Sequence, residues 1–301
     1  MAKQQMWLDG RFINAEDAKV NVLTHSLQYG SGIFEGIRAY EAAGGTAIFR
    51  LKDHIKRFYR TASVYMMDIK YAPSTLEDAT VSLVRRNNYG SSYIRPFAFY
   101  NSISIPPDVI GKKISVAIAD IPFGKYFKDK NKGIKCALSP WQRISSSSTP
   151  PQAKASGNYI NSILASTIAK KSGYDEAIMA DSQGHVAEGP GENIFIVEDN
   201  VLITPSKASD ILLGITRDSI IKIAENIGIE VEERGVHKEE LYLCDEAFFT
   251  GTAAEVTPIV SIDSRRIGAG KPGPITTLLM NKYFEIVTGE NKEFTNWLTF
   301  I

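Results

Sequence analysis

The chain is poor in residues that bind metals or cross-link. Its 301 residues include two cysteines and four histidines. Cys136 and Cys244 lie far apart and outside any CxxC pair, which excludes a disulfide framework and reads as two buried, reduced thiols. His25, His54, His185 and His237 share no HxH or HxxxH spacing, so no metal site is expected. Neither sign of charge is in excess: 34 Lys+Arg against 34 Asp+Glu give a formal net charge of zero. That removes both the basic footprint of a nucleic-acid binder and the acidic tail of a disordered segment. No run of about 18 apolar residues is present to span a bilayer. Residues 1–10 have no apolar core of signal-peptide length. The expectation is a soluble, cytoplasmic protein whose partners are small molecules, with neither nucleic acid nor membrane among them.

What is present is a large apolar fraction, 44% of the chain. At this length it suits two α/β lobes, each with its own core. Asp9-Gly10 marks a hairpin over 6–13. Residues 33–40 and 46–50 read as strands across Gly44-Gly45. Apolar residues at helical spacing (Ile55, Phe58, Ala62) predict a helix from about Asp53, and a second helix fits 75–86. Strands at 93–100 and 114–121 complete a first α+β lobe. The lysine-rich stretch 123–135, with Gly124 and Gly133, shows no periodicity and reads as a linker. The domain boundaries expected are 1–124, a linker over 125–134, and 135–301. After a strand at 134–138 and a polar loop at 145–152, a helix from about Asn158 carries Ile160, Ile163, Leu164 and Ile168 on one face. Strands are expected at 176–180, 185–188, 193–197, 201–204, 230–233, 246–250 and 255–262. Helices are expected at 216–227, at 275–287 and at the C-terminus.

Several segments carry chemistry-bearing residues. Lys154 sits in Ala153-Lys-Ala-Ser-Gly-Asn158, among small neighbours that let the backbone pack closely. A lysine that attacks an aldehyde must be partly desolvated; read locally, the segment equally fits a solvated loop. Glu188 ends a strand in Val186-Ala-Glu-Gly-Pro-Gly-Glu-Asn193, where it suits either a ring nitrogen or a surface turn. Gly214-Ile-Thr-Arg-Asp218 leads into a helix, so the N–H groups of Ile215 and Thr216 suit a phosphate, unless Thr216 is a plain cap. Gly251-Thr-Ala-Ala-Glu255 follows an apolar strand and suits a second anion through main-chain N–H and the Thr252 hydroxyl, or is a tight turn. Tyr93 and Arg95 share one strand face and suit a carboxylate, or else lie on an exposed edge. Arg57, beside the apolar stripe of its helix, reads by itself as a solvated residue.

Together these segments resemble the branched-chain aminotransferases, within the fold-type-IV pyridoxal-phosphate enzymes. The resemblance runs from about Trp7 to Gly289. It is carried by Tyr29-Gly-Ser-Gly-Ile-Phe-Glu-Gly-Ile-Arg-Ala-Tyr40, Tyr93-Ile-Arg-Pro96, Ala153-Lys-Ala-Ser-Gly-Asn-Tyr159, Glu188-Gly-Pro-Gly-Glu-Asn193, Gly214-Ile-Thr-Arg217 and Gly251-Thr-Ala-Ala-Glu-Val-Thr-Pro258, in the family's order.

The resemblance implies a small N-terminal α+β lobe and a larger C-terminal, barrel-like α/β lobe. It implies pyridoxal 5'-phosphate as cofactor. Lys154 corresponds to the Schiff-base lysine, Glu188 to the partner of the pyridine nitrogen and Tyr159 to that of the ring hydroxyl. Arg57, Ile215, Thr216 and Thr252 correspond to phosphate contacts. Tyr93 with the N–H groups of Thr252 and Ala253 corresponds to the α-carboxylate site. Arg95, Tyr29 and Tyr126 correspond to the receiver of a distal carboxylate, and Phe34 and Phe123 to the apolar pocket. Phe123 stands where the family more usually has tryptophan, and Lys125 adds a charge. The implied activity is transamination of L-leucine, L-isoleucine or L-valine with 2-oxoglutarate, in a homodimer or higher homo-oligomer. The rival readings are a D-amino-acid aminotransferase, an aminodeoxychorismate lyase, and a non-catalytic phosphate-ligand binder.

Overall fold

Asp9 and Gly10 both take positive φ, 46° and 92°, as a two-residue turn between twisted strands requires. They join Gln5–Leu8 to Arg11–Asn14, with Leu8 opposite Arg11. The computed structural model describes residues 4–124, 126–127 and 132–301. Lys125 and 128–131, all within the expected linker, lie outside the described residues. The chain forms two compact units. One comprises Met1–Gly124, Ala153–Gly157 and Ile286–Ile301; the other comprises Lys125–Gln152 and Asn158–Glu285.

The first unit is built on an antiparallel sheet. Its order is Leu298–Phe300, Gly45–Phe49, Ile37–Ala42, Ser92–Tyr100, Ile114–Pro122, Gln5–Leu8 and Arg11–Asn14, with Gly32–Phe34 also paired to Ser92–Tyr100. Two helices, Leu51–Val64 and Pro73–Asn87, share a core with it. Leu51, Ile55 and Phe58 from one helix and Leu76 and Leu83 from the other meet Ile33, Ile37, Ile48, Ile94 and Ile118 of the strands. Each such side chain, fully buried, contributes roughly 1.5–3 kcal/mol.

Two expectations change here. The strand expected over 33–40 is two strands, Gly32–Phe34 and Ile37–Ala42. Glu35 and Gly36 interrupt it, and the interruption admits the Glu35 carboxylate to the core, where Arg57 and His54 meet it. The helix expected at the C-terminus is instead a single 3-10 turn, Thr295–Trp297, and the strand Leu298–Phe300. Leu298 pairs with Phe49, and Arg50 donates its N–H to the Trp297 carbonyl at 2.6 Å. The edge of Gly45–Phe49 thus offers the last residues ladder hydrogen bonds that an isolated terminal helix turn would lack.

The second unit contains a ring of strands. Val186–Glu188, Glu176–Ala180, Ile134–Leu138, Glu255–Ile262, Glu246–Gly251 and Asn193–Glu198 pair in that order. The first and last of these also pair with each other, through the single register pair Glu188–Asn193, which closes the ring. Val201–Pro205 and Val231–Arg234 extend the sheet beyond it. Ile178, Val186, Ile194, Ile196, Phe249 and Ile259 share one buried cluster.

The helix Tyr159–Lys171 packs differently from expectation. Ile160 and Ile163 are 61% and 56% exposed, and Leu164 and Ile168 are also exposed. Ser162, Ala165 and Ala169 are buried instead, with Ala165 and Ala169 against Ala177 and Met179. Small side chains let the helix axis approach the strand closely, and that approach turns the aliphatic stripe outward. Among the described residues no helix is long and apolar enough to cross a membrane.

Candidate active site

In the first unit, Lys154 is held by its backbone. Its carbonyl accepts the N–H of Phe34 at 3.1 Å, and its own N–H donates to Thr61 Oγ1 at 3.2 Å. Ala155 forms an isolated antiparallel bridge with Ile33. Gly157 donates its N–H to the Gly30 carbonyl, and a Cβ on Gly30 would stand 3.1 Å from Gly157 Cα. The small residues beside Lys154 therefore let two backbones meet. The chain at Lys154 is pinned rather than a free loop.

Phe34 carries a cation at each of two positions. Lys154 Nζ lies 4.9 Å and Arg95 Cζ 4.6 Å from its ring centroid, within the range of cation–π attraction. Arg95 is on Ser92–Tyr100, an interior strand of the sheet and not the exposed edge that was the alternative. Its Nη2 donates to the Tyr93 hydroxyl at 3.5 Å, while its Nε is buried without a hydrogen-bond partner. The Tyr93 ring lies 5.1 Å from that of Phe123, and Arg38 Cζ lies 4.9 Å from the Phe123 ring. Gly36 is required beside this cluster: a Cβ there would stand 1.9 Å from the Tyr93 hydroxyl. Phe34, Tyr93, Arg95, Phe123 and Lys154 are thus brought together. Tyr29 is not among them; it is half exposed, and its hydroxyl donates to the Ile105 carbonyl.

Arg57 is not the solvated residue its helix position suggested. Its side chain is 14% exposed, and Nε and Nη2 donate to the two oxygens of Glu35 at 2.7 and 2.8 Å. His54 Nδ1 lies 2.7 Å from Glu35 Oε2. Burial alone would raise the Glu35 pKa, but Arg57 and His54 overcome it and hold the carboxyl well below the usual carboxylate range. Burial pushes His54 down, against the pull of Glu35 and with Arg57 and Lys154 adding to the fall. At neutral pH the carboxylate is charged and the imidazole neutral. The effect is to fix the Arg57 fork in one orientation.

In the second unit, Glu188 is the centre of a network. Arg143 Nε donates to Oε1 at 2.7 Å; Asn193 Nδ2 and the Leu212 N–H each donate to Oε2 at 3.0 Å. Both Glu188 and Arg143 are buried, and Arg143 Nη1 is buried without a hydrogen-bond partner. Glu188 is therefore no surface turn acid. Gly214 caps the helix Ile215–Asn226 in extended conformation, with no side-chain cap, so Thr216 is not the cap residue. Ile215 and Thr216 are buried in its first turn. Arg217 ties that turn down, donating to the Pro205 carbonyl at 2.9 Å and to Glu233 at 2.7 Å. Thr252 and Ala253 are half-buried in the turn after Glu246–Gly251, which the Thr257 hydroxyl closes by donating to the Ala254 carbonyl. Tyr159 begins the helix Tyr159–Lys171, whose preceding residue Asn158 donates from Nδ2 to the Pro150 carbonyl. Tyr126 is half exposed, its ring 4.8 Å from that of Phe127.

Sequence reasoning passed over Glu35, His54, Arg38, Arg143 and Asn193. Glu35 had a signal, a lone acid between apolar strand residues. Arg143, in Trp141-Gln-Arg-Ile-Ser145, had none. Among the described residues no group of three or more His, Cys, Asp or Glu is placed to hold a metal.

Comparison with known proteins bears on the family and the fold. The family model for amino-transferase class IV matches residues 32–262. A branched-chain-amino-acid aminotransferase of Pseudomonas aeruginosa is 44% identical over 98% of this chain and 97% of its own. The structure of a branched-chain aminotransferase from Thermoproteus uzoniensis with norvaline superposes with a TM-score of 0.95 at 47% identity, covering 99% of both chains. That of a branched-chain amino acid aminotransferase from Thermobaculum terrenum, in its PLP-bound holo form, does so with a TM-score of 0.93 at 39% identity, covering 99% of this chain and 98% of the other. The mixed α/β fold with its ring-shaped second sheet is thus the fold of the class IV aminotransferases, and this chain belongs to their branched-chain aminotransferase family.

Proposed function

We propose that this chain transaminates L-leucine, L-isoleucine or L-valine with 2-oxoglutarate, using pyridoxal 5'-phosphate. The observation that carries the reading is the Phe34 ring, with Lys154 Nζ at 4.9 Å and Arg95 Cζ at 4.6 Å. One aromatic wall then serves an aliphatic side chain, and the arginine beside it serves the carboxylate of the alternate substrate.

The donor set fits the cofactor. Glu188, fixed by Arg143, is a buried acid for a ring nitrogen. The turn at Gly214 opens a helix whose dipole favours a phosphate. We assign phosphate contacts to Arg57, Ile215, Thr216 and Thr252, and the ring-hydroxyl contact to Tyr159. Bound there, pyridoxal phosphate supplies an electron sink that stabilises negative charge at the substrate Cα. Lys154 would anchor the cofactor at rest; once displaced, its amine would take the Cα proton of the amino acid and pass it to the cofactor C4′, and would carry a proton the opposite way for the 2-oxo acid. Tyr93 and the N–H groups of Thr252 and Ala253 orient the α-carboxylate. By the family's pattern we assign the distal carboxylate of 2-oxoglutarate to Arg95, Tyr29 and Tyr126; with the Tyr29 hydroxyl turned to the Ile105 carbonyl, Arg95 is the member that supplies the charge. Phe34 and Phe123 exclude water from the apolar side chain.

We place the enzyme in the cytoplasm as a homodimer or higher homo-oligomer. The exposed apolar residues Val22, Leu27, Ile103, Ile105 and Ile110 in the first unit, and Ile160 and Ile163 in the second, support an assembled state. Light scattering checks it. The function is tested by mixing cofactor-loaded protein with single amino acids and following cofactor absorbance. L-Leucine, L-isoleucine or L-valine converts the cofactor to its amine form; faster conversion by D-alanine overturns the substrate assignment.

A further inference from the structure

Asn193 is buried and occupies a junction in the second unit. Its backbone pairs with Glu188 on one side, closing the ring of strands, and with Thr250 on the other, two residues before Thr252. Its side chain reaches a third segment. Nδ2 donates to Glu188 Oε2 at 3.0 Å and to the Leu212 carbonyl at 2.8 Å. The Leu212 N–H returns to the same Glu188 oxygen at 3.0 Å. Oδ1 fills the space beside Gly214, where a Cβ would stand 2.0 Å from it. One residue therefore touches the strand end that bears Glu188, the strand that leads to Thr252, and the segment 212–214 that opens the helix at Ile215.

We propose that Asn193 is a positioning residue that fixes the spacing between the Glu188 carboxylate and the turn at 214–216. This rests on the cofactor reading above, in which Glu188 takes the ring nitrogen and the turn takes the phosphate. A pyridine ring and its phosphate arm have a set length, so both ends are satisfied together only when the two protein groups are held at a matching distance. The amide is suited to this. It presents two donor hydrogens, one for each segment, and carries no charge to oppose Glu188. Gly214 follows from the same geometry: its lack of a Cβ makes room for Asn193, and its φ of −69° needs no glycine.

The test measures binding of pyridoxal and of pyridoxal phosphate by equilibrium dialysis, on full-length wild type, N193A, N193S, G214A and N193A/G214A. The ratio of the two dissociation constants reports what the phosphate adds. In N193A this ratio falls about tenfold, the size of one hydrogen bond's loss, because the phosphate end no longer registers with the ring end. N193S gives a smaller fall and carries the comparison if N193A does not fold. G214A weakens pyridoxal phosphate binding at least tenfold when Asn193 is present and less than threefold in the double variant, since the clash is then gone. Loss of both ligands by the same factor in N193A, or an equal effect of G214A in both backgrounds, overturns the inference. Wild-type protein that binds neither ligand overturns the cofactor reading itself.

Discussion

Arg143 Nε and Glu188 Oε1 stand 2.7 Å apart, with both side chains buried. An ion pair in that setting resists removal of one partner, because the other charge is left without water or counter-charge. R143M, which keeps the volume, should cost about 3–5 kcal/mol of stability by urea unfolding. R143M/E188Q should recover part of that loss, since no buried charge then remains unpaired. A single variant as stable as wild type would show that water or another cation already reaches Glu188.

Glu35 ties Arg57 and His54 together, and its pKa is held below the ordinary carboxylate value of 4.5. Folding therefore favours the charged form. The stability it contributes is complete above about pH 4.5 and is lost as the pH falls below that. Acid unfolding of wild type should begin in this range, and E35Q should flatten that limb of the stability profile while lowering stability at pH 7. A wild-type profile unchanged from pH 6 to 3 would contradict the network.

Glu192 has the opposite sign. Burial, with Glu176 and then Glu188 adding to it, pushes its pKa up to about 8. The fold favours the neutral acid, whose Oε2 accepts the Gly191 N–H at 3.0 Å. Its contribution is complete below about 4.5, declines as the pH rises and is gone above about 8. E192Q, which stays neutral, should lose less stability than wild type between pH 5 and 9. Parallel profiles for the two proteins would place the Glu192 charge in water.

Lys154 is held by its backbone to Phe34 and Thr61, and truncating its side chain leaves those hydrogen bonds in place. K154A should melt within a few degrees of wild type and still take up pyridoxal phosphate, more weakly. Its transamination of L-leucine should fall by at least about 10⁴-fold, the upper range for a positioned proton carrier. Turnover near the wild-type rate would remove Lys154 from the centre of the chemistry.

The elements were legible because their signals are local. Asp9-Gly10 dictates its own turn, and the spacing of Ile55, Phe58 and Ala62 declares a helix face. The errors lie where a distant residue decided the outcome. Glu35 breaks a strand because Arg57 and His54 await it, 19 or more positions away. The C-terminal strand exists because Gly45–Phe49 offers an edge. Ile160 and Ile163 turn outward because Ala177 and Met179 accept alanines from the other face. The same holds for the site. Motif order pointed to Lys154, Glu188 and Arg95, whereas Arg143 has ordinary neighbours in sequence, and Asn193, although it ends the motif at 188–193, shows that it holds Glu188 only through the closure of the strand ring.

Arg95 offers the sharpest separation of the two substrates. Its guanidinium lies over Phe34 and reaches the Tyr93 hydroxyl, and its buried Nε has no hydrogen-bond partner. A buried donor left unpaired is costly, and a carboxylate arriving beside it relieves that cost. In the proposed function an aliphatic side chain needs only the Phe34 and Phe123 rings. R95L should therefore leave the half-reaction with L-leucine within about threefold of wild type, while the half-reaction with L-glutamate falls about 100-fold, equivalent to ~2.7 kcal/mol for a lost charge pair. Rapid mixing of cofactor-loaded protein with each amino acid measures both rates on one preparation. Equal losses for the two amino acids would mean that Arg95 supports the wall of the pocket, and the receiver of the distal carboxylate would have to be sought at another cation.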